Sequence, residues 1–180
     1  MIDFENTLIT AHDRLNSAYT QYECTTDELA RKFYELVLQS CIFQYEICVE
    51  MASIIRNKPM GFSLNVALKG LVHRLFEYNK ILESQIIKKL LHLCSTRNIL
   101  IDRTEIKSER KKWKSEFHKL ESWAATRNYA TGHYDPNFEK QMMAVLNIEL
   151  TEVMDVCAAF ISFNMSILKI LLKAGRGNCA

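Results

Sequence analysis

The side chains best suited to chemistry lie in one short segment, Ala125-Thr126-Arg127-Asn128-Tyr129-Ala130-Thr131-Gly132-His133-Tyr134-Asp135-Pro136. A guanidinium grips a phosphate through a bidentate fork. An imidazole near its ordinary pKa moves protons at neutral pH. These are the groups needed to cleave RNA by attack of its own 2′-OH on the adjacent phosphate. His133 is the candidate for proton transfer, Arg127 for stabilising the charge on the phosphorane, and Asn128 for orienting the others by hydrogen bonding. Tyr134 is placed to stack on a base or donate to phosphate. The route needs no metal and no cofactor, and none is expected.

The pattern is specific only in combination. With nine Arg and 5 His in 180 residues, an Arg followed by His after four to six residues is expected about 0.75 times by chance. Requiring Asn directly after the Arg lowers that to about 0.05. Arg97-Asn98 has the same dipeptide and no His at that distance.

These residues depend on the helices around them. Trp113, Phe117, Leu120, Ala124 and Arg127 follow four-three spacing, which puts Arg127 on an apolar stripe, aimed inward or at an interface. Six residues of straight helix would turn His133 away from Arg127. Gly132 resolves this by offering a left-handed helix end. Asp135-Pro136 then reads as N-cap and first residue of the next helix, which pins His133 in a short turn.

The rest of the chain reads as about five long helices in an up-and-down bundle, all-α, one domain over residues 1–180. The first helix, Asp3 to Glu23, has its stripe at Phe4, Leu8, Ala11, Leu15, Ala18 and Tyr22. The second, Glu28 to Asn57, is apolar on several faces, which predicts a central helix or an oligomer interface. Pro59 and Gly61 mark its end. The third, Leu64 to Cys94, repeats the four-three spacing from Leu64 to Ile86. The fourth runs from a Thr104 cap to Thr131. The fifth runs to Ala174 with an irregularity near Asn147, and Gly175 stops it. With only 5 Gly and 2 Pro, a many-turned β fold is disfavoured.

Composition is that of a globular chain, 48% hydrophobic and 24% charged, with a net charge of +2. That sum neither requires nor excludes a nucleic-acid partner. Charge is concentrated locally, however. Arg103, Lys107, Arg110, Lys111, Lys112, Lys114 and Lys119 face only Glu105, Glu109 and Glu116 in the same stretch, interleaved with Trp113 and Phe117. Lys111, Lys112 and Lys114 are the candidate phosphate-steering residues; a plain solvated helix face is the competing reading. The six cysteines read as reduced core fillers of a cytoplasmic protein, since Met1 to Glu5 is polar and acidic rather than signal-like. Val156 to Leu168 carries no charge, but thirteen residues fall short of the roughly 20 of a membrane span. His73, His92 and His118 read as ordinary surface or boundary residues. Glu46 and Glu50 read as ion-pair partners rather than as an auxiliary group facing the motif.

Arg127-Asn128-Tyr129-Ala130-Thr131-Gly132-His133 resembles the motif of the HEPN superfamily (higher eukaryotes and prokaryotes nucleotide-binding domains). There an Arg, four to six residues and a His lie near the end of a bundle helix, with a polar residue often directly after the Arg. The resemblance covers the helical architecture and about seven residue positions. It implies a metal-independent endoribonuclease whose two motifs form one cleft in a homodimer. It also implies RNA as substrate and an antitoxin or regulatory protein as partner in toxin–antitoxin or phage-defence settings; from the hydropathy reading above, no membrane partner is expected. The alternative is an inactive relative, a helical nucleotide-binding or protein-interaction scaffold in which Arg127 pairs with a core Glu.

Overall fold

In the computed structural model, which describes residues 4–101, 103–131 and 136–176, the chain is all-helical, with no strand among the described residues. The helices are α1 (Phe4–Cys24), α2 (Glu28–Asn57), α3 (Phe62–Ile81), α4 (Ile87–Thr96), α5 (Arg103–Lys112), α6 (Lys114–Ser122), α7 (Ala124–Thr126), α8 (Phe138–Leu146) and α9 (Leu150–Arg176). A π turn, Leu82–Ile86, joins α3 to α4, and a second, Arg127–Thr131, extends α7.

Paired side chains give the direction of each run. Glu5 takes both ends of the Arg56 guanidinium, at 2.8 and 2.6 Å, so the start of α1 lies beside the end of α2. Asp27 pairs with Arg97 at 2.7 Å, Glu35 with Lys89 at 3.6 Å, and Glu46 with Arg74 at 3.0 Å, so α2 and the α3–α4 rod run antiparallel. Glu109 accepts from Ser166, Phe117 meets Phe160 edge-on at 4.5 Å, and Lys119 pairs with Glu152, so α5–α6 runs antiparallel to α9.

α2 is central. It packs on α1, α3, α4 and α9, which is why it is apolar on several faces: Phe33, Leu36, Ile47 and Met51 are all buried. α9 supplies the other half of the core through Val153, Phe160, Phe163 and Ile167. By length and composition Leu150–Gly175 is apolar enough to cross a membrane, and 61% of its most apolar window is buried in this fold. The described cysteines are free, and all but Cys24 are buried. Burial pushes the Cys41 and Cys48 thiols up to about 11.

Several expectations about the helices are corrected. The fourth helix is interrupted at Trp113 and Trp123, where the backbone leaves helical values (φ −112°, ψ 25° and φ −92°, ψ 16°). Each Trp N–H reaches back three residues, to Arg110 and Leu120, instead of four. The irregularity expected near Asn147 is there and is a full break of the fifth helix, at 147–149, where Ile148 turns into the core. Asn65 holds that break by donating to the Val145 and Ile148 carbonyls at 3.3 and 3.4 Å. α8 starts at Phe138 with Asn137 as N-cap, accepting from Lys140 N–H at 3.2 Å, so Pro136 lies outside the helix; Asp135 lies outside the described residues. Gly175 does not stop α9, which continues to Arg176.

Candidate functional site

The two interruptions decide where Arg127 points. On an unbroken helix the buried positions would be Phe117, Leu120, Ala124 and Arg127. The tightened turn at Trp123 steps the buried set by threes instead, through Phe117, Leu120, Trp123 and Thr126. The π turn then takes a four-residue step to buried Ala130. Arg127 is thereby rotated to the edge of the core, with its side chain 39% exposed. Of the two expected placements, inward and at an interface, the inward one is corrected, and Asn128 beside Arg127 is exposed.

The turn is held firmly. Thr126, almost fully buried, donates to the Ala144 carbonyl of α8 at 2.7 Å. Thr131 donates to the Arg127 carbonyl at 3.0 Å. The Arg127 guanidinium donates to Glu77 of α3 at 3.4 Å and to the Asn128 side-chain oxygen at 3.2 Å. Tyr129 lies exposed, with the Lys140 ammonium 5.9 Å from its ring centre. π turns recur at functional sites because the extra residue breaks the hydrogen-bond ladder and re-aims side chains.

Glu77 connects the turn to a cavity of about 380 Å³, also lined by Glu46, His73, Arg74 and Tyr78. Within it Arg74 bridges Glu46 and Glu50, so both carboxylates are ion-paired, as expected for them. The cavity floor is the stacked pair Phe43 and Tyr78, with rings 5° from parallel. Below it Asn164, fully buried, accepts from the Tyr78 hydroxyl and donates to the Ser40 carbonyl and Gln44 at 3.0 and 3.3 Å. Burial raises the Tyr78 phenol pKa. His133 and Tyr134 lie outside the described residues, so the structure brings together Arg127 and Asn128 alone among the motif candidates.

The basic candidates divide. Lys111 and Lys114 are exposed and line one depression of about 340 Å³ together with Lys107, Arg110, Phe117, His118 and Glu121. Lys112 does not line it: its ammonium is tied to Glu109 at 2.5 Å. That bond, first among its causes, holds the Glu109 carboxyl below its ordinary value.

Glu77 was missed in the sequence. Glu77 lies six residues beyond Leu71, off the α3 stripe, and carries no signal of its own. Lys107, read there only as part of the basic stretch, keeps with Lys111 and Lys114 the four-three spacing of a single helix face. Among the described residues no three His, Cys, Asp or Glu gather as a metal-binding group.

An all-α chain with an arginine–asparagine pair presented on a π turn is the class defined by this geometry. No family model, curated protein or solved structure matches the chain.

Proposed function

We propose that the protein is a metal-independent endoribonuclease of the HEPN type, acting as a cytoplasmic homodimer in which two copies of the Arg127–His133 segment share one cleft. The observation that carries this reading is the placement of Arg127 and Asn128. They sit at the end of a helical run, on a braced π turn, half-exposed and exposed respectively, where a phosphate can reach them.

His133 of one copy takes the proton from the 2′-OH. The 2′-oxygen attacks, the bond from phosphorus to the 5′-oxygen breaks, and the leaving oxygen takes a proton from the other copy's imidazolium. The products are a 2′,3′-cyclic phosphate and a 5′-hydroxyl. Arg127 compensates the extra charge on the phosphorane, and Asn128 keeps its guanidinium oriented. Glu77 holds the guanidinium in the free protein and exchanges it for the substrate phosphate.

The Arg127–Glu77 pair also favours a second reading, an inactive scaffold in which that pair only joins α3 to the turn. An RNA assay with purified dimer separates them. The enzyme cleaves, and Arg127→Ala or His133→Ala stops it while Asn128→Ala slows it less. The scaffold cleaves in no form. Light scattering giving a monomer at micromolar concentration would remove the composite site.

A further inference from the structure

Lys107, Lys111 and Lys114 are exposed, and among the described residues none has a carboxylate within ion-pair distance. They are spaced four and three apart and border one depression that continues past Trp113 to Glu121. At a rise of 1.5 Å per residue, Lys107 to Glu121 spans about 20 Å of helix. Beyond it, Ala125 and Asn128 are exposed too, next to Arg127. Beside the lysines, the Arg110 guanidinium lies over the Phe117 ring, 4.7 Å from its centre, and pairs with Glu83. A guanidinium held over a ring can also stack with an unpaired base.

We infer that Lys107, Lys111 and Lys114 form a track for the backbone of single-stranded RNA, which leads the strand along α5 and α6 to the Arg127 turn. The inference rests on the proposed ribonuclease reading for what happens at the end of the track, but binding along it does not. One residue-wide row of ammonium groups follows one strand. The Lys112 ammonium, engaged by Glu109 off this row, is outside it.

The test uses a labelled 2′-O-methyl oligouridine, which has no 2′-OH to react, so binding is read apart from cleavage. Anisotropy titrations compare the wild type with the triple variant Lys107→Gln, Lys111→Gln, Lys114→Gln. A charge-matched control carries Lys32→Gln, Lys58→Gln, Lys88→Gln, all exposed and away from the track. Without the three ammonium groups that grip phosphate, the track variant should bind about tenfold more weakly, and its slope of log affinity against log salt should fall by about 2, while the control stays within about twofold of wild type. Equal losses in both variants, or no loss in either, would overturn the track. So would duplex RNA competing as well as single strand, or anionic phosphatidylserine vesicles binding the protein where the oligonucleotide does not. If the wild type binds through these lysines yet leaves unmodified RNA intact, the track stands and the ribonuclease reading falls. If it cleaves RNA and the track variant binds and cleaves equally well, the reverse holds.

Discussion

At Arg127 the proposed chemistry and the stability of the fold can be measured apart. Its pair with Glu77 has both side chains about 40% exposed (39% and 41%), and exposed pairs contribute at most about 1 kcal/mol. Arg127→Ala and Glu77→Gln should therefore each change unfolding stability by less than about 1 kcal/mol in urea titrations. Arg127→Ala alone should lower cleavage by about 10²–10³-fold. A stability loss of several kcal/mol would mean that the guanidinium is a core ion-pair partner. Asn164 is the opposite case: fully buried, with bonds to Tyr78, Ser40 and Gln44. Asn164→Ala strands the Tyr78 hydroxyl and leaves a void, and should cost roughly 2–4 kcal/mol in the same titration. A loss under about 1 kcal/mol would contradict the network.

At the scale of elements, the ends of α2 give two expectations. Lys58 closes the helix in the left-handed region (φ 45°, ψ 52°), its N–H bonded to the Ile54 carbonyl. A β-carbon there costs roughly 1–2 kcal/mol, partly offset in glycine by backbone entropy of about 0.5–1 kcal/mol. Lys58→Gly should therefore stabilise the protein by roughly 0.5–1 kcal/mol; a destabilised variant would contradict this cap. Asp27 opens the helix. The Ala30 N–H, then Arg97, hold its carboxyl below the ordinary 3.8. A depressed carboxyl adds stability above the unfolded value and loses it as pH falls through the folded one. The melting-temperature gap between wild type and Asp27→Ala should thus be present at neutral pH and shrink below about pH 3.8. A gap constant down to pH 2 would rule out the linkage.

Element existence was legible wherever one stripe carried it. Leu64, Leu68, Leu71, Leu75, Tyr78, Leu82 and Ile86 all face the core side of one rod. Steps of four from Tyr78 through Leu82 and Ile86 to Leu90 would drift about 120° on an ideal helix. The π turn at Leu82–Ile86 absorbs that drift and keeps all four buried. The same spacing logic failed at α6, because the tight turn at Trp123 comes from a bulky indole seeking the core, which periodicity does not register. It moved Arg127 from the stripe to its edge. Arg127 and Asn128 were legible as a pair from type and spacing, but the exposure of Arg127 was not; nor was Glu77, because its role arises only from the packing of α3 on the turn.

For the whole molecule, α5–α6 packs antiparallel on α9 and leaves Lys107, Lys111 and Lys114 exposed on one side; in the proposed function, steering runs along them and chemistry follows at Arg127. The claim to be tested is that these residues cleave RNA through its own 2′-OH. The most direct measurement incubates purified protein with RNA in excess EDTA and identifies the new ends by mass spectrometry, with His133→Ala alongside. The expected result is 2′,3′-cyclic phosphate and 5′-hydroxyl ends from the wild type, and a loss of about 10²–10⁴-fold in rate for His133→Ala. Cleavage that EDTA abolishes, 5′-phosphate products, or a folded His133→Ala protein that cuts at the wild-type rate would contradict the account.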